Sequence, residues 1–307
     1  MPEPYSATPD VAGFYDPRTS SVQYVVSDPR TRRCAIIDPV LDYDEGAGSV
    51  STESADVLLA HVQANSLAVE WILDTHPHAD HFSAAAYLKD RTGAPIGIGR
   101  SIGKIQALWK GLYNLPDSFP ADGSQWDRLF DDGDAFHIGG LRASVLFSPG
   151  HTMASVTYLV GDAAFVHDTL FMPDGGTARA DFPGGDARQL WDSIQRILAL
   201  PDPTRLFTGH DYRPGGRPAE WESTVAQQRA MNLHLLAAPT GDAFVAMRSE
   251  RDTHLPMPKL ILHALQVNIA ALARPQGRKA NEVSAVIGCA NIVVSPSMPR
   301  SQRNLER

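Results

Sequence analysis

The chain has 307 residues, 43% of them hydrophobic and 20% charged, so it is long enough to bury a large core as an ordinary globular protein. Its formal net charge of -8 argues against general nucleic-acid binding, which needs a basic face. No apolar run approaches a membrane span, and the start Met1-Pro2-Glu3-Pro4-Tyr5 has neither the charged head nor the apolar core of a secretory signal. Two cysteines, Cys34 and Cys289, cannot build a disulfide framework, and a reducing cytoplasm is the expected compartment. Cys34 follows two arginines but reads as a small apolar strand residue.

In chain order, Val22 to Val26 and Cys34 to Asp38 are apolar runs joined by the turn residues Asp28-Pro29-Arg30-Thr31, a predicted hairpin. Residues 42–52, acidic and rich in Gly and Ser, are expected to be a loop, followed by a helix from Ala55 to Asn65. Val69 to Asp74 is a buried strand. Phe82 to Arg91 is a helix that Gly93 ends. Ile96 to Ile98 is a strand, Ser101 caps a helix to Tyr113, and residues 114–125 are a loop. Strands dominate from Trp126 to Leu170: Leu141 to Phe147, Ser155 to Val160 and Ala164 to Val166, with turns at 131–134, 139–140 and 161–162. Asp186 caps a helix to Leu200, and Arg205 to Thr208 is a last short strand. Helices are then expected over Pro218 to Ala237, Asp242 to Arg251 and Pro258 to Ala273. The expected domain is 11–273, and the tail, 274–307, is expected to be loosely held.

The segment between the strand at 69–74 and the following helix is Thr75-His76-Pro77-His78-Ala79-Asp80-His81. Three imidazoles and a carboxylate in six residues are the donor set of zinc, iron or manganese. Pro77 between the first two histidines rules out the helical HExxH arrangement. A strand-to-helix loop is where a rigid scaffold can aim side chains at one point. Three later positions share a context, each at or just beyond a predicted strand end: His151 after Ser148-Pro149-Gly150, Asp168 after Val166-His167, and His210 after Thr208-Gly209. Singly each is an ordinary turn or cap residue; in this order after the histidine loop they form a constellation.

That constellation resembles the metallo-β-lactamase fold superfamily, over roughly residues 20–213. The resemblance implies an α/β (α+β) protein, an αββα sandwich with a helical C-terminal extension and a metal site at one edge. All seven ligand positions of the superfamily are filled, by His76, His78, Asp80, His81, His151, Asp168 and His210, a number that suits two metals. His167 stands where many members have glycine; it is an extra donor or, more simply, a structural residue.

The stretch Asp168 to Ala187, His210-Asp211-Tyr212, Asp42-Tyr43-Asp44 and the C-terminal Trp221-Glu222-Ser223-Thr224-Val225-Ala226, Phe244-Val245-Ala246-Met247-Arg248 and Met257-Pro258-Lys259-Leu260-Ile261-Leu262 look like the bacterial branch of the persulfide dioxygenases. That likeness implies one Fe(II) per chain held by His76, His151 and Asp168, with His78, Asp80, His81 and His210 as supporting groups or ligands of a second metal. It implies oxidation of glutathione persulfide with O2 and water to sulfite and glutathione, and no nucleic-acid or membrane partner. Tyr212 matches a glutathione-contacting tyrosine of the glyoxalase II enzymes, and Arg179 and Arg213 are candidate carboxylate forks. The alternative is a dinuclear zinc thioester hydrolase of the glyoxalase II type. The apolar stretch Leu260 to Leu272 is a candidate subunit contact in a homo-oligomer.

Overall fold

The computed structural model describes residues 8–271. The strands β1 (Asp10–Asp16), β2 (Ser21–Ser27), β3 (Arg33–Ile37), β4 (Val40–Asp44) and β5 (Ser49–Ser51) precede helix α1 (Glu53–Ala64). Then come β6 (Ala68–Leu73), β7 (Phe82–Ser83), α2 (Ala85–Thr92), β8 (Ile96–Gly99) and α3 (Ile102–Leu112). The second half holds β9 (Arg128–Phe130), β10 (Ala135–Ile138), β11 (Leu141–Phe147), β12 (Val156–Val160), β13 (Ala163–His167), α4 (Ala187–Leu198), β14 (Arg205–Thr208) and β15 (Glu222–Thr224). It closes with α5 (Val225–Met231), α6 (Leu233–Ala237), α7 (Gly241–Asp252) and α8 (Ile261–Asn268).

Two six-stranded sheets form, in the orders β1-β2-β3-β6-β8-β9 and β10-β11-β12-β13-β14-β15. Alternate side chains of each strand divide between two layers, as the period of a pleated strand requires. Val22, Tyr24 and Val26 of β2, Ala35 and Ile37 of β3, Phe165 of β13 and Phe207 of β14 meet in one buried cluster between the sheets. Their neighbours Val25, Cys34 and Ile36 turn outward beneath α1, α2, α3 and α8. Ala164, Val166 and Leu206 do the same beneath α4, α5 and α7. The result is the expected αββα layering. Cys34, in the first outer cluster, is fully buried, and burial pushes its thiol up to about 12, so the residue behaves as an apolar filler.

The predicted hairpin is β2–β3, with Tyr24 opposite Ile37. Asp186 caps α4 as expected, accepting from the Gln189 amide, and Gly93 ends α2 in the left-handed conformation. Four expectations need correction. Residues 42–52 are the hairpin β4–β5 rather than a loop; β4 also pairs with β7. A buried acid is tolerated in that strand because the Asp42 carboxylate takes Arg18, the Ser54 amide (2.9 Å) and the Ser54 hydroxyl (2.7 Å). Phe82 and Ser83 belong to a strand, and the helix starts only at Ala85, whose amide donates to Ser83 Oγ at 3.1 Å. The helix expected over 218–237 begins instead with edge strand β15 and is cut in two at Asn232, whose side chain caps α6. The last helix spans Ile261–Asn268; its residues Ile261, Ala264, Leu265 and Val267 are buried against the first sheet's helices in the same chain. The tail beyond residue 271 lies outside the described residues. No helix among those described is long and apolar enough to cross a membrane.

Candidate metal centre

The ligand-bearing segments all leave strand ends on one edge of the sandwich. The histidine loop follows β6, which runs parallel to β3 and β8. Asp168 follows β13 and His210 follows β14, a parallel pair. His151 follows β11 through a turn in which Gly150 has φ +135° and lies against Leu190; a side chain there would meet the Leu190 backbone at 2.2 Å. Glycine is therefore what lets His151 fold back over the strand ends.

His76, His151 and Asp168 are all buried and place one donor atom each within 4.8 Å of one another. Hydrogen bonds fix which nitrogen faces the trio. The Thr75 hydroxyl donates to Asp38 Oδ2 (2.8 Å) and so accepts from His76 Nδ1–H (3.0 Å), leaving His76 Nε2 buried with no partner. His151 Nδ1–H donates to the Arg179 carbonyl (2.9 Å), which frees His151 Nε2, 3.7 Å from Asp168 Oδ2. Burial, reinforced by the neighbouring His78 and His151, pushes His76 well below the ordinary histidine range, so it presents a neutral ring. An orphaned buried imidazole nitrogen converging with a second free one and a carboxylate fits a transition-metal site.

A second trio, His78, Asp80 and His81, also lies within 4.8 Å. Each of its histidines spends one ring nitrogen on a neighbour, while His78 Nδ1 stays buried without a partner among the described residues. His78 Nε2 donates to Asp38 Oδ1 at 3.1 Å; burial opposes the cation, but Asp38 overcomes it and raises His78 to about 9. His81 Nδ1–H donates to the Phe82 carbonyl at 3.0 Å. His210, the seventh expected ligand, sits between two carboxylates: Nδ1 to Asp168 Oδ1 at 2.6 Å and Nε2 to Asp80 Oδ2 at 2.8 Å. Ser21 Oγ adds contacts to Asp80 (3.0 Å) and His210 (3.1 Å). Two carboxylate acceptors call for two N–H donors. Burial opposes that cation, yet the charges of Asp168 and Asp80 hold His210 well above the ordinary range. The same pairing overcomes burial at Asp168 and draws it down to about 2.

His167 lies behind the trio rather than in it. Its φ is +42°, its ring is 5.2 Å from that of His76, and Nε2 meets Ser148 Oγ (3.0 Å) and Thr169 Oγ1 (2.9 Å). Burial lowers it to about 3.

A cleft of about 1250 Å³ opens onto His151, Asp168, Asp80 and His210. Its walls include Tyr43, Phe171, Tyr212 and Arg251. Tyr212 is 62% exposed and its ring stacks on His210, 5.5 Å away and 7° from parallel. Arg179 also lines the cleft, but its guanidinium already forks onto Asp181 (2.6 and 2.7 Å), donates to the Pro256 carbonyl (2.6 Å) and covers Phe182. Arg213 is not among the lining residues; its Nε donates to the Arg217 carbonyl at 2.9 Å. By contrast Arg251 makes no salt bridge or side-chain hydrogen bond among the described residues.

Sequence reasoning left out Asp38, which orders the loop by accepting from the Thr75 amide (2.7 Å), the Thr75 hydroxyl and His78. The signal for it was an acid directly ending an apolar run, at Ile36-Ile37-Asp38. It also left out Asp74, which burial pushes up to about 7, whose carboxyl accepts from Ser83 Oγ (2.8 and 3.0 Å) and which lies with Asp38 and His78 in a third group of donors within 4.8 Å.

Fold and site together define a metallohydrolase-type scaffold, and the profile of the Metallo-beta-lactamase superfamily matches residues 16–210. The chain belongs to that superfamily. It is 65% identical over 269 residues to a beta-lactamase hydrolase-like protein of Xylella fastidiosa (strain Temecula1), covering 88% of this chain and 62% of that relative's length. It thus spans about three fifths of that longer protein. It is 45% identical to Glyoxylase B2 of Dictyostelium discoideum (84% and 89% covered) and 27% identical to the human mitochondrial persulfide dioxygenase ETHE1 (83% and 86%). Among solved structures, ETHE1 from Myxococcus xanthus superposes with a TM-score of 0.68 at 30% identity, over 85% of this chain and 99% of that one.

Proposed function

We propose that this chain is a persulfide dioxygenase using a single non-haem Fe(II), with glutathione persulfide as substrate. The observation that carries the reading is the contrast between the first trio and His210. The trio of His76, His151 and Asp168 presents free donor atoms with their tautomers already set, whereas His210 spends both ring nitrogens on Asp168 and Asp80. Two histidines and one carboxylate suit iron and leave positions open for other ligands. The likeness to proteins named persulfide dioxygenase or ETHE1 supports the same reading. A cytoplasmic setting fits a buried free thiol at Cys34.

The net reaction is glutathione persulfide plus O2 plus H2O giving glutathione and sulfurous acid, which ionises to sulfite. The persulfide loses four electrons and O2 gains four. Iron, when bound, supplies the one-electron chemistry through which O2 reacts with a closed-shell persulfide. The chain's own residues supply position and charge. Tyr212 and Phe171 form an aromatic corner over His210, their rings 5.5 Å apart and edge to face. Arg251, without a salt bridge or side-chain hydrogen bond among the described residues, offers its guanidinium to a substrate carboxylate. The His210 cation, between its two carboxylates, holds the Asp168 carboxylate in place.

The test is O2 uptake by Fe(II)-loaded protein given fresh glutathione persulfide, with sulfite quantified. Uptake matched by sulfite supports the assignment; none from folded, iron-replete protein discards it. A second reading, a dinuclear zinc thioester hydrolase, is favoured by the His78–Asp80–His81 trio and by the relative named Glyoxylase B2. Metal content separates the two: one iron per chain against two zincs, with thioester cleavage replacing O2 uptake.

A further inference from the structure

The matched superfamily region ends at residue 210, yet the backbone on both sides of the metal centre is held by side chains beyond it. The first hold is at the histidine loop. Asn268, at the end of α8 and 5% exposed, donates through Nδ2 to the carbonyls of His78 and His81, both at 2.8 Å. Its Oδ1 accepts from the Ser83 amide at 2.8 Å. One amide thus grips three backbone groups within six residues.

The second hold is at Thr177 to Ala180, the segment whose Arg179 carbonyl orients His151. Arg248 and Asp252, one turn apart on α7 and both buried, pair at 2.6 Å. Arg248 donates to the Thr177 carbonyl (3.0 Å), and Asp252 accepts from the Ala180 amide (2.8 Å). His234 of α6 accepts from the Thr177 amide at 2.9 Å. The backbone groups on either side of the His151 acceptor are therefore fixed from the C-terminal helices. None of these side chains is needed to close a helix, and burying Arg248 against Asp252 is costly unless the pair has other partners to satisfy.

We infer that Asn268 and the Arg248–Asp252 pair are positioning residues for the metal centre, acting through the backbone of the histidine loop and through the Arg179 carbonyl on His151. The inference rests on His151 being a metal ligand, not on the identity of the reaction. Outer contacts of this kind change metal affinity about 10- to 100-fold when removed.

The test uses the full chain with Co(II), which reports coordination by its visible absorption. Asn268→Asp keeps the side chain's shape but sets a carboxylate against two carbonyls. The double change Arg248→Met with Asp252→Leu replaces the buried pair by apolar groups of similar volume, an exchange that folded proteins often tolerate. Leu58→Ala, buried in α1, is the control for general loss of stability. The expected result is a Co(II) dissociation constant raised about 10- to 100-fold with shifted absorption bands in both test variants. The control should lose thermal stability while keeping the wild-type affinity and bands. Wild-type affinity and bands in the test variants would overturn the inference, as would equal changes in the control. If the double variant does not fold, Asn268→Asp alone decides. Failure of the unmodified chain to bind Co(II) would instead sink the metal-centre reading itself.

Discussion

Gly209 offers the sharpest probe of the centre, because the atom it would disturb is identified. A Cβ built on Gly209 falls 2.6 Å from Asp168 Oδ1 and 3.2 and 3.3 Å from the backbone C and Cα of His167. Backbone on that side cannot yield easily, so in Gly209→Ala the carboxylate must move. Reaching an ordinary contact of 3.4 Å requires roughly 0.8 Å, the difference between the two distances. The same oxygen accepts from His210 Nδ1 at 2.6 Å, so a shift along that bond lengthens it to about 3.4 Å and weakens it. A charge-assisted bond contributes about 1.5–3 kcal/mol, so weakening it lowers the Tm of metal-free protein by up to several degrees. Displacing a ligand carboxylate should also weaken metal binding by at least the roughly 10- to 100-fold known for outer contacts. Calorimetry of metal-stripped protein and chelator competition measure the two effects. Gly93→Ala is the companion: its φ is +74° but nothing lies within 4 Å of the added carbon, so backbone strain acts there without touching the site. Wild-type metal affinity in Gly209→Ala would refute the placement of Asp168 in the centre.

Three further outcomes are expected. Arg251→Met should raise KM for glutathione persulfide about tenfold with kcat nearly unchanged, the pattern of a uniform carboxylate contact; an unchanged KM removes Arg251 from the binding site. Tyr212→Phe should raise KM by a smaller factor while leaving metal content intact, since the ring that stacks on His210 remains; loss of metal would show that the hydroxyl has a structural role instead. His234, which burial and then Arg248 and Arg251 push down to about 4, stays neutral in the fold while the unfolded chain takes up its proton near 6.5. Its contribution to stability is present above about pH 6.5 and lost as pH falls toward 4. His234→Asn, which keeps an acceptor for Thr177, should flatten that part of the stability curve in urea titrations at stepped pH, and parallel curves for the two proteins would contradict it.

Much of this molecule was legible locally. The pairing of β2 with β3, the cap at Asp186 and the stop at Gly93 depend on residues a few positions apart, and the sequence pattern carried them. The histidine loop is equally local, its side chains lying within six residues, and the structure gathers them as candidate donors. What escaped depends on partners far along the chain. Asp42 reads as loop composition until Arg18 and Ser54 are seen to neutralise and bind it. Glu222 to Thr224 read as helix because the edge of β14, which pairs with it, is not visible from the local pattern. Arg248 and Asp252 look like the solvent face of a helix; both are buried, because the segment 177–180 folds over them.

The distribution of function along the chain follows from the same contrast. Residues 16–210 carry every proposed donor of the centre, and a scaffold that offers seven candidate donors does not by itself choose a metal or a reaction. Selection then falls to the contacts that decide which donors are free. Asp38 takes Nε2 of His78 and the Phe82 carbonyl takes Nδ1 of His81, each leaving the other ring nitrogen, whereas Asp80 with Asp168 takes both nitrogens of His210. The Arg179 carbonyl turns His151 toward the trio instead of away from it. That carbonyl is held in register by α7, and the loop opposite by α8. The helices beyond residue 210 also supply Arg251 and part of the cleft wall. On the proposed reading, the C-terminal helices set both the backbone around the metal and the charge offered to substrate.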